Sequence, residues 1–249
     1  MSCPSSIVSS VVKTHNVNKS LEKDDHGYYK VCLGALNTLN SAGAYYVADG
    51  VKELVGNPSS LVCRRLKQGY LNGEMGHPQF QPGMTKTDFI LRNMKIDQSN
   101  ISHHIKEIEF IPDSKGSMIR IMGWVKPSGP HGELLRQALD NPDQNVAFSI
   151  RSFTDDTMQA GRVTKKIREI ITWDWVVEPG IKVANSWDTM SMESLDLFHV
   201  TMQDIIEANK VLERMPAASS ESSDIQSSLS QIGNIVKLQH NSNDLFNRW

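Results

Sequence analysis

A histidine stands in a setting that could present it to a cleft. In segment 72–78, His77 lies between Gly76 and Pro78. Glycine and proline favour an irregular loop, and such a loop can hold an imidazole in one pose for acid and base chemistry. The alternative is an ordinary exposed loop histidine.

A serine and an arginine share one face of a strand predicted over 145–153. Side chains two residues apart point to the same side of a strand, so Ala147, Ser149 and Arg151 lie together. A hydroxyl beside a guanidinium suits a nucleophile with a cation that stabilises a developing oxyanion. The alternative is a half-buried strand with a polar outer face.

An aspartate interrupts an apolar strand predicted over 170–177. Asp174 stands between Trp173 and Trp175. Burying an unpaired carboxylate costs several kcal/mol, so a buried Asp174 would require a histidine, an arginine or backbone N–H groups as partners. The alternative places Asp174 on a solvated face, with the two tryptophans pointing inward.

Two adjacent histidines, His103 and His104, precede Glu107 and could ligate a metal. The flanking residues favour a strand, in which neighbouring side chains point to opposite faces, so we do not favour this site. A metal hydrolase built on His77, His103 and His104 is retained as an alternative.

Composition and missing motifs exclude several classes of protein. The 249 residues include 26 Lys and Arg against 28 Asp and Glu, a net charge of −2, which argues against nucleic-acid binding by charge. Three scattered cysteines indicate neither a disulfide framework nor a zinc ribbon. Phosphate-binding, zinc-protease and nucleophile-elbow motifs are missing, as are a signal peptide and a long apolar run. We therefore predict no cofactor, no nucleic-acid partner and no membrane partner.

Hydrophobic patterning divides the chain into a flexible N-terminal arm (1–27), a folded domain (28–215), a Ser-rich linker (216–230) and a C-terminal tail (231–249). Sheet dominates the middle of the folded domain, which predicts an α+β fold with mainly antiparallel strands. The strands are predicted near 28–33, 42–47, 101–110, 117–125, 145–153 and 169–177, and the helices near 59–68, 133–139 and 195–215.

Together these segments resemble the prohead proteases of tailed bacteriophages, which are capsid-maturation serine proteases related to the herpesvirus assemblin fold. Residues 73–78 are similar to the family's GE(L/M)xHP motif around the catalytic histidine. Residues 147–152 are similar to its GVSSRG run around the nucleophile, and residues 171–179 to the strand that brings the third catalytic residue. The resemblance implies a closed or nearly closed β-barrel surrounded by helices.

The resemblance also implies a catalytic triad of His77, Ser149 and Asp174. Ile150 stands where the family has a second serine, which leaves Ser149 as the nucleophile and Ser152 as its competitor. Herpesvirus relatives use a second histidine in the third place, which Asp174 occupies in this chain. Arg151 is expected to help bind the oxyanion, directly or through water.

The implied substrates are phage scaffold, core and capsid precursor proteins, cut after a Glu that follows a small or apolar residue two positions earlier. The expected place of action is inside the immature prohead in the host cytoplasm, and homo-oligomerisation is left open. Self-cleavage is predicted after Glu221, which would release 28 residues, while Glu193 closes a second matching site. The alternative is a non-catalytic scaffold or core protein, in which the helix over 195–215 and the tail are the working parts.

Overall fold

A computed structural model describes residues 5–12, 21–40, 43–159, 161–176, 198–214 and 223–233 of the chain. Both predicted cleavage sites, at Glu193 and Glu221, lie outside the described residues, and the boundaries predicted at 28, 215 and 230 stay predictions. No helix among the described residues is long and apolar enough to span a membrane.

The described strands form two sheets. In chain order they are β1 (Ser5–Val12), β2 (Tyr29–Leu36), β3 (Thr38–Leu39), β4 (Tyr45–Val47), β5 (Asn72–Glu74), β6 (Ile101–Pro112), β7 (Ile119–Pro127), β8 (Ala147–Gln159), β9 (Arg162–Val176) and β10 (Phe198–Val200). The six-stranded sheet has the order β10-β1-β8-β9-β4-β3, and the four-stranded sheet has the order β2-β7-β6-β5. Within these sheets the pairing of β4 with β9 is parallel and the other pairings are antiparallel, as predicted.

Six helices lie within the described ranges: α1 (Val51–Gly56), α2 (Leu61–Gln68), α3 (Lys86–Met94), α4 (Gly132–Asp140), α5 (Met202–Arg214) and α6 (223–233). A short 3₁₀ turn spans Gln98–Asn100. Local sequence explains the limits of α2, because the Ser60 side chain accepts a hydrogen bond from the Cys63 N–H at its start and Gly69 ends it with φ of 74°. Thr85 and Asp88 form a reciprocal capping box at the start of α3.

The predicted closed barrel is not found in the part of the chain that the structure describes. The edges of the two sheets, β10 and β3 in one and β2 and β5 in the other, are not joined by a continuous ladder, which a barrel requires. One isolated bridge, between Met75 and Trp175, connects the sheets beyond the end of β5. The arrangement is therefore two open sheets with a core between them.

The six-stranded sheet is covered on both faces. One face packs on the four-stranded sheet through a core that includes Leu33, Ile121, Phe148 and Trp173. The other face carries Phe153 and Ile171, which pack against apolar side chains of α2, α3, α5 and α6. Strands buried on both faces have no polar outer side, so even their polar residues are removed from solvent.

Two segments differ from the expected loose ends. The predicted arm contains β1, whose backbone pairs with β8 from Ser5 to Val12. The β-branched residues of this segment favour a strand, and the ladder satisfies one side of β8. The predicted Ser-rich linker contains the start of α6, in which Ile225 and Leu229 are fully buried. These two apolar residues lie four positions apart on one helix face, so the burial of their side chains stabilises α6 in a serine-rich segment.

Candidate active site

The three residues of the predicted triad lie in one hydrogen-bonded row. His77 Nε2 is 2.6 Å from Ser149 Oγ, and His77 Nδ1 is 2.8 Å from Asp174 Oδ2. Asp174 and Ser149 are fully buried, and the His77 side chain is 10% exposed. A histidine that contacts a hydroxyl through one nitrogen and a carboxylate through the other has the arrangement by which serine hydrolases activate their nucleophile.

The ladder between β8 and β9 places Ser149 beside Asp174. The two residues are direct partners in the antiparallel register, so their side chains stand on the same face of the sheet although a long hairpin separates them in sequence. This register therefore brings the hydroxyl of one strand next to the carboxylate of the neighbouring strand.

The loop after β5 brings His77 over this pair. Its backbone is attached to the end of β9, where the Gly76 N–H donates to the Trp175 carbonyl at 2.7 Å. Gly76 has φ of 75°, a conformation that other residues rarely adopt. The loop is therefore turned and pinned immediately before His77, and the interpretation of His77 as an ordinary exposed loop residue is wrong.

The carboxylate of Asp174 is buried with a full set of donors, so the alternative of a solvated face is wrong. Oδ1 accepts from the Glu74 backbone N–H at 3.0 Å and from Arg151 Nη2 at 2.7 Å, while Oδ2 accepts from Arg151 Nε at 2.9 Å as well as contacting His77. Burial alone would raise the pKa of Asp174, but the positive charge of Arg151 and the hydrogen bond with His77 hold that pKa below its ordinary value. Asp174 is therefore ionised at neutral pH.

Arg151 supports Asp174 and is not placed to bind an oxyanion. Besides its two bonds to Asp174, its guanidinium donates through Nη1 to the carbonyls of Asn93 at 3.3 Å and Lys95 at 2.9 Å, and its Nη2 lies 3.1 Å from Glu74 Oε1. These contacts use the five N–H donors of an arginine side chain. The expectation that Arg151 would bind the oxyanion is wrong, because α3 covers this face of β8 and supplies acceptors there.

The remaining sequence candidates lie apart from this row. The Ser152 hydroxyl is buried and makes no hydrogen bond within the described residues, so it does not replace Ser149 as the partner of His77. His103 is buried with its Nδ1 2.8 Å from Ser102 Oγ, and burial lowers its pKa to about 4. His104 lies on the opposite face, where Tyr28 Oη is 3.1 Å from its Nδ1.

The alternative of a metal hydrolase finds no support in the part of the chain that the structure describes. No group of three or more His, Cys, Asp or Glu side chains is placed there to hold a metal ion. Sequence reasoning missed two charged residues near the site, Glu74 and Arg92. Glu74 was visible as a charged residue within segment 72–78, whereas no sequence signal marked Arg92.

Comparisons with known proteins indicate which family the chain belongs to. The model of the Peptidase S80 family matches residues 7–241. A capsid maturation protease of Pseudomonas phage phiKZ is 37% identical over 215 residues, which cover 82% of this chain and 78% of the relative. The solved structure of the bacteriophage T4 capsid assembly protease gp21 matches with a TM-score of 0.51 and 10% identity, covering 70% of this chain and 99% of that one, and this likeness concerns the fold. The resemblance to phage capsid-maturation proteases is thereby confirmed. The chain belongs to the Peptidase S80 family and is a protease.

Proposed function

We propose that the chain is a serine endopeptidase that uses Ser149, His77 and Asp174 to process capsid-related precursor proteins during phage head assembly. The observation that carries the proposal is the row of contacts from Ser149 Oγ through the His77 ring to Asp174, at 2.6 and 2.8 Å. The family supplies the protease activity, and the names of the relatives supply the link to the capsid.

Each residue has a distinct role in the proposed reaction. Ser149 Oγ attacks the scissile carbonyl carbon while His77 Nε2 takes the hydroxyl proton, and His77 then gives that proton to the leaving amine as the peptide bond breaks. Water, activated by the same imidazole, then hydrolyses the acyl-enzyme ester and restores Ser149. Asp174 keeps the Nδ1–H tautomer of His77 and stabilises the imidazolium that forms. Its ionised state at neutral pH suits this role.

The proposed substrates are scaffold, core and capsid precursors, cut after Glu inside the prohead in the host cytoplasm. Self-cleavage after Glu221 would release 28 residues. This bond lies between α5, which ends at Arg214, and α6 over 223–233. A cut there would separate α6 covalently from the rest of the protease.

A mass measurement on wild type and Ser149→Ala tests the proposal. We expect the wild-type chain to lose the 28 residues after Glu221 and Ser149→Ala to stay intact. Ser152→Ala is the matched control, because it removes another buried hydroxyl from the same strand and should leave processing unchanged. An intact wild type that also fails to cut a phage scaffold protein would contradict the proposal and favour a non-catalytic scaffold or core protein.

A further inference from the structure

A second buried carboxylate, Glu74, lies next to the predicted triad. Its side chain is fully buried, and both of its oxygens face donors. Oε1 accepts from Arg92 Nη1 at 3.0 Å and from the Asp97 backbone N–H at 2.9 Å, and Oε2 accepts from Arg92 Nη2 at 2.5 Å and from Asn100 Nδ2 at 3.1 Å. The contact with Arg92 is bidentate, the geometry that holds a carboxylate most firmly.

Glu74 also contacts the support of Asp174 in two ways. Its backbone N–H donates to Asp174 Oδ1, and its Oε1 lies 3.1 Å from Arg151 Nη2. The same Nη2 donates to Asp174 Oδ1 at 2.7 Å. The guanidinium of Arg151 is therefore held between two carboxylates, one of which belongs to the predicted triad.

The charges of this network alternate from the buried site to the surface in the order Asp174, Arg151, Glu74 and Arg92. Two negative and two positive groups leave no net charge. Burial by itself would raise the pKa of Glu74, but Arg92 and Arg151 bring that pKa below its ordinary value. Arg92 is 24% exposed, so the network reaches solvent at its outer end.

We propose that Glu74 is a positioning residue for catalysis. It fixes the guanidinium of Arg151, which fixes the carboxylate that orients His77. A guanidinium deprived of Glu74 would be drawn toward its remaining acceptors, among them the Asn93 and Lys95 carbonyls. Displacements of about 1 Å in such supporting groups cost on the order of 100-fold in rate. The inference rests on the proposed function, because it acts through the triad.

The test is the labelling of Ser149 by a fluorophosphonate probe, whose phosphorus bonds to the serine oxygen as fluoride leaves and His77 takes the proton. Glu74→Gln keeps the side-chain shape but turns one oxygen into an NH₂ group that faces other donors. We expect the maximal labelling rate to fall about 10- to 100-fold, with unchanged probe affinity and a complete final labelled fraction. Glu169→Gln is the matched control. Glu169 lies on β9 and is buried like Glu74, but it contacts no triad residue, so the labelling rate of this variant should equal that of wild type.

The outcomes distinguish failure of the proposed function from failure of the inference about Glu74. A wild-type chain that is not labelled at Ser149 refutes the proposed function, and the inference with it. A labelled wild type with Glu74→Gln labelled at the same rate overturns the inference alone. A lower final fraction with an unchanged rate also overturns it, because that result reports lost folding instead of lost positioning. If Glu74→Gln does not fold, the half-buried Arg92 is changed to Gln, and we expect labelling about 3- to 10-fold slower. An unchanged rate there overturns the inference.

Discussion

Replacing Arg151 with methionine removes the cation that two buried carboxylates share. Asp174 would lose hydrogen bonds of 2.7 and 2.9 Å, and Glu74 would lose its 3.1 Å contact. Removing one partner of a buried ion pair costs about 3 to 5 kcal/mol, since the remaining charge stays buried without compensation. We expect a loss of this size in the free energy of unfolding at pH 7, measured by denaturant titration.

The pH dependence of that loss has a defined sign. In wild type the pKa of Asp174 is below its ordinary value, so its contribution to stability is present above about pH 4 and is lost as the pH falls through the lower folded-state pKa. Without Arg151, burial would raise this pKa above the unfolded value. Protonation of Asp174 would then reduce the loss of stability in the variant as the pH falls. The difference in stability between wild type and Arg151→Met should therefore shrink from pH 7 toward pH 4.

A surface arginine provides the control. Arg136 also donates to two carboxylates, Glu133 and Asp140, but its side chain is 50% exposed. Arg136→Met should cost far less stability than Arg151→Met, because solvent screens exposed ion pairs. A cost for Arg151→Met that matches the cost for Arg136→Met and does not vary with pH would refute the reasoning.

Two further predictions concern stability. Gly73→Ala should destabilise the fold by several kcal/mol in denaturant titrations, because the added Cβ would lie 2.1 Å from the Trp173 carbonyl oxygen, whereas Gly56→Ala has nothing within 4 Å and should be near neutral. Equal effects would contradict this account of the close approach of β5 to β9. Burial raises the pKa of Glu169 to about 7 from an ordinary 4.5, so the contribution of Glu169 to stability is most favourable below pH 4.5 and falls as the pH rises toward 7. Glu169→Gln can keep both backbone hydrogen bonds through its carbonyl oxygen, so it should match wild type near pH 4 and exceed its unfolding free energy by about 3 kcal/mol at pH 8. Parallel pH profiles for the two proteins would show that Glu169 is not the titrating group.

The sequence marked His77, Ser149 and Asp174 as separate candidates, and the resemblance to the prohead proteases grouped them into a triad. The glycine and proline around His77 marked a loop, and the two strands carrying Ser149 and Asp174 were recognised from their apolar residues. The two-residue alternation of side chains along a strand correctly placed Ser149 and Arg151 on one face of β8. This alternation could not reveal that α3 covers that face, so the contacts of the Arg151 guanidinium were predicted wrongly.

The missed elements depend on long-range burial. The polar segment between the two predicted strands is part of a longer hairpin, in which Asp155 and Asp156 pair with Arg168 and Lys165 across the strands. Residues 223–233 are rich in serine, and their helix is stabilised where Ile225 and Leu229 meet the cluster formed by α2, α3 and α5. Such contacts join residues far apart in the chain, which composition alone does not indicate.

The central claim is that Ser149 is a nucleophile activated by His77. The most direct measurement is to treat the wild-type protein with a fluorophosphonate probe and locate the modified residue by peptide mass spectrometry. The account predicts one adduct, on Ser149, and a loss of labelling on the order of 10⁴-fold or more in His77→Ala. An adduct on Ser152, or a Ser149 adduct that forms equally fast without His77, would contradict it.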